Sequence, residues 1–231
     1  MNTEMDLAQL KKVEHKGFQF VIREGTIDDY VVREVLGGAY KKLNINPDDV
    51  VFDIGLNIGV FTVYALSKGA KKVYSFEPER DNFKIAATNI KLNNFDQSRY
   101  ELVNAAVVGN KDKHRSFSVN TKKNKGGHSL VHKRGRDTVN VDCVNINEII
   151  DAHKPTVVKM DIEGGEYECL KAVKSFDCVR ELELEFHHAH LNDTKTHEKY
   201  NEIIALLKTH FSQVEGREPK GNWITNVYCK K

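Results

Sequence analysis

The stretch Val50-Val-Phe-Asp-Ile-Gly-Leu-Asn-Ile-Gly-Val60 decides the fold of this 231-residue chain. An apolar, β-branched run ends at Asp53, and two glycines follow before an apolar segment with helical spacing begins. This pattern predicts a buried parallel strand that turns sharply into a helix and leaves the amides of the turn free for a ligand. Gly55 and Gly59 suit such a turn, because a Cβ there would clash or would keep a ligand away from the backbone.

A second apolar segment, Lys72-Val-Tyr-Ser-Phe76, ends in Glu77, which follows Asp53 by 24 residues. An acidic side chain at the tip of the second strand can accept hydrogen bonds from both hydroxyls of a ribose. The two segments together therefore predict a site for a cofactor that contains a nucleoside.

The spacing of the glycines separates two kinds of cofactor. A dinucleotide-binding turn reads Gly-x-Gly-x-x-Gly and lies against a pyrophosphate. Here the spacing is Gly55-x-x-x-Gly59, with Asn57 in the middle and Asp53 before the first glycine. A carboxylate at Asp53 would repel a pyrophosphate but suits a ligand with an amino group and a sulfonium. S-adenosyl-L-methionine is such a ligand, and the alternative for the glycines alone is an ordinary turn that binds nothing.

Strand and helix patterns alternate along the rest of the chain. Residues 45–231 are predicted to form one α/β domain, a doubly wound and mostly parallel sheet with an antiparallel strand at one edge. Residues 1–44 are predicted to form an appendage of one short strand and one helix. The predicted strands cover residues 18–22, 50–54, 72–76, 101–108, 156–160, 179–186, 211–215 and 223–228, and predicted helices include 58–68 and 197–210.

A basic insert, at about residues 109–140, interrupts this alternation between the third and fourth strands of the sheet. Its centre, Lys111–Arg136, is rich in lysine and arginine and poor in apolar residues. Such a segment is typical of a solvated hairpin or loop, and the functional alternative is a lid over an anionic substrate. Phe117 is its one aromatic residue, which argues against stacking on single-stranded nucleic acid.

The second informative stretch is Val157-Val-Lys-Met-Asp-Ile-Glu-Gly-Gly-Glu166. A strand places Lys159, Asp161 and Glu163 on one face at the carboxyl edge, where α/β enzymes hold their chemistry. The next strand adds Glu185, followed by two histidines. The candidate bases or acceptor-orienting groups are Asp161, Glu163, Glu185, His187 and His188.

Less specific interpretations of the same residues stay open. Asp161 and Glu163 would also serve to cap the following helix, and each histidine would also suit the surface. A metal site built from Asp161, Glu185 and a histidine is chemically reasonable, because carboxylates and imidazoles together bind divalent ions. The sequence does not establish such a site, and no metal is predicted.

Composition bounds the class of protein. Hydrophobic residues make up 40% and charged residues 29% of the chain, and the net charge of +2 implies no general attraction to nucleic acid. No apolar run approaches the length of a membrane span, and the acidic first residues lack the apolar region of a signal peptide. Four cysteines without Cys-x-x-Cys spacing indicate free thiols. We expect a cytoplasmic enzyme without membrane contact, and its oligomeric state is left open.

Five segments together resemble the FkbM-type methyltransferases and occur in the order found in that family. They cover roughly residues 45–190, and the Lys-x-Asp-x-Glu-Gly-x-Glu signature makes the resemblance fairly specific. The segments are Val51–Gly59, Phe76–Glu79, Asn104–Val107, Val139–Ile150 and Val158–Glu166.

The resemblance implies a class I methyltransferase with a Rossmann-like fold that uses S-adenosyl-L-methionine. It also implies O-methylation of a hydroxyl on a sugar, glycan or natural-product-like acceptor. Carried over by position, Glu77 holds the ribose and Asp161 faces the site of methyl transfer. The other implied cofactor contacts are Asp53, Gly55, Asn57 and Gly59 at the methionine end, with Asn104 and Ala105 near the adenine.

Two other classes of function stay open at this point. A nucleic-acid methyltransferase that acts on an RNA cap or ribose would use the basic insert to hold phosphates. A non-catalytic binding protein that kept the fold is the second alternative, because fold does not imply function.

Overall fold

A computed structural model describes residues 9–119, 137–188, 194–217 and 224–231 of the chain. Twelve strands and six helices lie in these ranges. The strands are β1 Lys11–His15, β2 Phe18–Ile22, β3 Val50–Ile54, β4 Lys72–Phe76, β5 Tyr100–Val103, β6 Ala106–Val108, β7 His114–Val119, β8 Asp137–Asn145, β9 Val157–Met160, β10 Glu181–His187, β11 Gln213–Gly216 and β12 Ile224–Lys230. The helices are α1 Asp28–Gly37, α2 Val60–Ser67, α3 Arg80–Leu92, α4 Ile146–His153, α5 Glu166–Ala172 and α6 Thr194–His210.

The central sheet has seven strands in the order β11-β12-β10-β9-β3-β4-β5. Neighbouring strands from β10 to β5 are parallel, whereas β12 pairs antiparallel with both β10 and β11. The predicted doubly wound, mostly parallel sheet with an antiparallel pair at one edge is confirmed. The strand order reverses beside β3, so the carboxyl ends of β3 and β9 flank the crevice where such sheets bind ligands.

The apolar run of β3 is explained by burial on both faces. Val51 packs into a core with α1, α2 and α3, whereas Phe52 and Ile54 pack into a second core with α4, α5 and α6. Val51, Phe52 and Ile54 are completely inaccessible to solvent. A strand covered on both faces has no polar side to alternate with, which is why the sequence reads as a continuous apolar run.

The amino-terminal residues share the first of these cores. Phe20 and Val32 are buried with the side chains of α2 and α3. Asn89 of α3 is fully buried; its amide nitrogen donates to the Val21 carbonyl at 3.2 Å, and its side-chain oxygen accepts from the Val21 amide at 2.6 Å. The predicted strand at 18–22 is confirmed, and β1 pairs with it as a hairpin partner that the sequence analysis missed. Its sequence, Lys-Lys-Val-Glu-His, carries too little apolar character to indicate a strand.

The predicted third strand at 101–108 is wrong as one element. It divides into β5, at the edge of the central sheet, and β6, which pairs with β8 in a separate small sheet. The chain turns between them at Asn104, whose side-chain amide donates to the Glu77 carbonyl at 2.7 Å. This hydrogen bond connects the turn to the tip of β4. Because the sequence is apolar on both sides of Asn104, its pattern does not show that the strand is interrupted there.

The part of the basic insert that the structure describes is a pair of antiparallel strands, β7 and β8. Arg115 of β7 binds Glu168 of α5 through two hydrogen bonds of 2.8 Å, which attach the pair to the main domain. Residues 120–136, with most of the predicted basic centre, lie outside the described residues, so the proposed lid stays a prediction.

None of the four cysteines forms a disulfide. Among the residues that the structure describes, no helix combines the length and the apolar character needed to cross a membrane.

Candidate active site

The turn between β3 and α2 has three residues with positive φ. The angles are +89° at Gly55, +51° at Asn57 and +88° at Gly59. A Cβ on Gly55 would lie 1.8 Å from the carbonyl oxygen of Asp161, and a Cβ on Gly59 would lie 3.1 Å from the Cα of Ala86. The glycines are therefore required by the close approach of β9 and α3 to the turn.

Glu77, at the tip of β4, holds the same turn from the other side. Its carboxylate accepts from the amide of Asn57 at 2.8 Å and from the amide of Glu79 at 2.9 Å. Burial raises the pKa of Glu77 to about 8, against the opposing effect of these two donors. When Glu77 is ionised, each carboxylate oxygen keeps a second lone pair, so the group can then accept two hydroxyls of a ligand.

A cleft of about 550 Å³ opens beside Glu77. Its walls come from the ends of β3, β4 and β9, from the chain around β6, and from Phe117 of the insert. The lining residues are Ile54, Gly55, Asn57, Phe76, Glu77, Pro78, Ala105, Ala106, Val107, Phe117, Asp161, Ile162 and Glu163. Asn104 is not among them, and its side-chain amide donates to the carbonyls of Glu77 and Pro78. We name this space the cofactor cleft.

Asp53 is not among the residues that line the cofactor cleft. It is fully buried, accepts a hydrogen bond of 2.8 Å from Thr62, and pairs with the ammonium of Lys159 at 3.2 Å. Burial raises the pKa of Asp53 although the charge of Lys159 opposes the shift. Lys159 also donates to the Gly55 carbonyl at 2.6 Å. Asp53 therefore acts on the turn through Lys159, and direct contact with a cofactor stays a prediction.

A second and wider cleft, of about 1120 Å³, adjoins the first. Gly55, Asn57, Asp161 and Glu163 line both, so these residues mark the junction. The remaining walls come from α1, from the start of α2, from β10 and from β12. The amino-terminal appendage thus forms part of the site through α1. We name this space the acceptor cleft.

His187 lies at the junction within a group of carboxylates. Its Nδ1 is 3.3 Å from Glu166, which is fully buried and also accepts the amides of Ile162 and Gly164. The other ring nitrogen, Nε2, faces three more carboxylates. They are Glu163 at 3.7 Å, with Asp161 and Glu185 at 3.9 Å.

These carboxylates decide the charge of His187. Burial alone would lower the pKa of His187, but the hydrogen bond and charge of Glu166, with the charges of Asp161 and Glu163, raise it to about 10. The ring is therefore an imidazolium at neutral pH and does not suit the predicted role of general base. Burial and the charge of Asp161 raise the pKa of Glu185 to about 8.

His188 lies on the opposite face of β10 and outside both clefts. Its Nδ1 hydrogen bonds to the Tyr167 hydroxyl and its Nε2 to the Thr225 hydroxyl, both at 2.8 Å. Adjacent residues of a strand point to opposite faces, so His187 and His188 cannot share one site. The structure does not bring His188 into the clefts with the other candidates, and its two ring nitrogens are engaged by Tyr167 and Thr225.

Ligand atoms of Asp161, Glu166 and His187 lie within 4.8 Å of one another, as a metal ion would require. However, Glu166 faces one nitrogen of the imidazole and Asp161 faces the other. The ammonium of Lys159 also lies 4.0 Å from Asp161 and already supplies positive charge there. The arrangement suits an imidazolium held between carboxylates better than a divalent ion.

Sequence reasoning missed Phe117, Glu166 and the whole contribution of α1 to the site. Glu166 carried a usable signal, because a glutamate one residue after a glycine pair can cap the turn before its helix. Phe117 and α1 carried none, since only tertiary packing brings a distant hairpin and an amino-terminal helix to the sheet edge.

A known methyltransferase family matches most of this chain. A family profile described as the methyltransferase FkbM domain matches residues 53–214. Methyltransferase sdnD of Sordaria araneosa is 25% identical, in a match that covers 63% of this chain and 69% of that protein. An uncharacterized protein of Methanocaldococcus jannaschii is 36% identical over 70 residues, which cover 30% of this chain but 26% of the relative.

Solved structures show the same fold. TYW2 of M. jannaschii, in complex with AdoMet, superposes with a TM-score of 0.51 at 15% identity and covers 96% of this chain and 85% of its own. A precorrin-6y C5,15-methyltransferase of Geobacter metallireducens also has a TM-score of 0.51, at 14% identity, with 92% and 95% covered. The chain therefore has the class I methyltransferase fold.

Proposed function

This chain belongs to the FkbM methyltransferase family, and we propose that it methylates a hydroxyl of a sugar, a glycan or a natural-product-like acceptor. It is an S-adenosyl-L-methionine-dependent methyltransferase, and the identity of the acceptor is the proposed part. The observation that carries the proposal is the junction of the two clefts, where Asp161 lines both.

The residues that line the cofactor cleft suit the chemistry of S-adenosyl-L-methionine. Glu77 offers a carboxylate for the ribose, and Ala105, Val107 and Phe117 offer an apolar wall for the adenine. The side-chain oxygen of Asn57 is buried and has no hydrogen-bond partner among the described residues, so it is available to a donor of the ligand. Asp53 and Lys159 hold the turn on which these groups depend.

The bound cofactor supplies a methyl group that its sulfonium has already activated. The protein must align the acceptor oxygen with that methyl group, exclude water and remove the hydroxyl proton. The proton of the acceptor hydroxyl would pass to a carboxylate of the protein as the methyl group is transferred. We assign this role to Asp161, because the imidazolium of His187 at 3.9 Å would stabilise its charged form.

The nucleic-acid alternative has less support. Among described residues, the acceptor cleft is lined by five carboxylates and only two cationic side chains, and such a surface repels phosphates. A role for residues 120–136 in binding an anion is not tested by this surface.

Transfer of label from S-adenosyl-L-methionine to fractionated small-molecule, glycan and RNA pools tests the proposal. We expect label in a hydroxyl-bearing small molecule or glycan, whereas label in RNA alone would overturn the proposed acceptor class. Asp161→Asn should then slow single turnover by about 10²–10⁴-fold, the range for lost acid–base assistance. Binding of S-adenosylhomocysteine should change less, and Glu101→Gln, an exposed glutamate of β5 outside both clefts, is the matched control.

A further inference from the structure

We propose that the acceptor carries a protonated amine and that it is bound by three glutamates that line the acceptor cleft, Glu34 of α1 with Glu183 and Glu185 of β10. This inference rests on the proposed function, because it names the substrate class of the same site. The amine is a recognition group, and the hydroxyl next to Asp161 is the group that receives the methyl.

The first support is the balance of charge in the acceptor cleft. Its described lining contains five carboxylates, Glu34, Asp161, Glu163, Glu183 and Glu185, against the cations of Lys159 and His187. Both cations are already compensated within the protein. Lys159 pairs with Asp53 at 3.2 Å, and His187 contacts Glu166 at 3.3 Å. Asp161, Glu163 and Glu185 also lie within 4 Å of the His187 imidazole, so Glu34 and Glu183 are the lining carboxylates without an ion pair among the described residues.

The second support is an unsatisfied buried group. Glu183 is 6% exposed and lines the acceptor cleft, and its Oε2 atom has no hydrogen-bond partner among the described residues. A buried carboxylate oxygen without a donor is costly, so a ligand that donates there would remove the cost. Burial raises the pKa of Glu183 to about 7, and a cation bound beside it would shift that pKa downward.

The third support comes from two exposed hydrophobic side chains that line the acceptor cleft. Tyr30 is 63% exposed although it is a large aromatic residue, and its hydroxyl donates to Glu34 at 3.2 Å. Ile224, which also lines the acceptor cleft, is 45% exposed. An open aromatic ring beside carboxylates is the combination that attracts an ammonium group, through charge and through the face of the ring. An apolar rim above acidic groups thus suits an acceptor with an apolar body and an amine.

Binding of three matched sugars to protein saturated with S-adenosylhomocysteine tests the inference. Glucosamine carries an ammonium, glucose is neutral and glucuronate is an anion, on the same ring. Saturation-transfer NMR should show glucosamine binding at least about 10-fold more tightly than glucose, the factor for one charge-assisted hydrogen bond near 1.4 kcal/mol. Glucuronate should bind more weakly than either.

Variants locate the effect. Glu183→Gln and Glu185→Gln should each reduce the preference for glucosamine, whereas Glu101→Gln should leave it unchanged. Equal binding of the three sugars, or a preference that survives both variants, would overturn the inference. So would stoichiometric binding of Mn²⁺ that excludes glucosamine, since the cleft would then be a metal site. Calorimetry with S-adenosylhomocysteine separates the two proposals. If the protein does not bind S-adenosylhomocysteine, the proposed function is contradicted. If it binds S-adenosylhomocysteine but does not prefer the amine, only this inference is contradicted.

Discussion

Replacement of Gly55 by alanine tests whether the β3–α2 turn is determined by contact with β9. An added Cβ would lie 1.8 Å from the carbonyl oxygen of Asp161. Because carbon and oxygen atoms pack at about 3.3–3.6 Å, the two segments must separate by roughly 1.5 Å. That displacement breaks the hydrogen bond from the Asp161 amide to Ile54, of 2.9 Å, and the one from Lys159 to the Gly55 carbonyl, of 2.6 Å.

The expected loss of stability follows from these contacts. A residue with a Cβ at φ +89° costs about 1–2 kcal/mol, and the two hydrogen bonds contribute about 0.5–1.5 and 1.5–3 kcal/mol. Gly55→Ala should therefore lower the free energy of unfolding by roughly 3–6 kcal/mol, a large part of the stability of an ordinary domain. Urea denaturation measures the change, and a fall in Tm of roughly 6–24 °C should accompany it, at about 2–4 °C per kcal/mol for a chain of this size.

Gly25→Ala is the matched control. Gly25 also has a positive φ, of +71°, but nothing lies within 4 Å of the position that its Cβ would take. It should lose only the conformational part, about 1–2 kcal/mol. If the two variants lose the same stability within about 1 kcal/mol, the contact with Asp161 does not determine the turn and the reasoning is refuted.

Glu77→Gln should weaken binding of S-adenosylhomocysteine at least about 10-fold, because each ribose hydrogen bond to a charged acceptor contributes about 1.5–3 kcal/mol. Calorimetry that shows equal affinity would contradict the assignment of Glu77 to the ribose. Since burial raises the pKa of Glu77 to about 8, affinity of the wild type should rise between pH 7 and pH 9, and the variant should lack this dependence. For His187, whose pKa is raised from 6.5 to about 10, the stabilisation is complete below pH 6.5 and is lost as the pH rises through about 10. Chemical denaturation between pH 6.5 and about pH 10 should show this loss of stability in the wild type but not in His187→Gln. Identical pH profiles of stability would rule out a raised pKa at His187. Asn89→Ala should lower the free energy of unfolding by about 2–4 kcal/mol, because it leaves buried backbone groups of Val21 and Ile58 without hydrogen-bond partners. A loss below about 1 kcal/mol, measured by denaturation, would show that water replaces the Asn89 amide.

The sequence by itself determined the centre of the sheet and the cofactor edge. β3 and β4 have the predicted bounds, because a strand buried on both faces must be apolar throughout and must end where polar or glycine residues begin. Glu77 was predicted from its spacing of 24 residues after Asp53 in the sequence, since chain order places it at the tip of the neighbouring strand. Local pattern is sufficient where one element alone creates the constraint.

Only the tertiary structure decided which candidate residues line the clefts and which are buried behind them. Asp53 and Asp161 are both acidic residues at strand ends, yet the first is fully buried against Lys159 and the second lines both clefts. The charge of His187 depends on carboxylates from two different elements, and α1 reaches the acceptor cleft from the amino-terminal appendage. Burial and charge at a site depend on the distances between side chains that are far apart in sequence, and no local pattern encodes those distances.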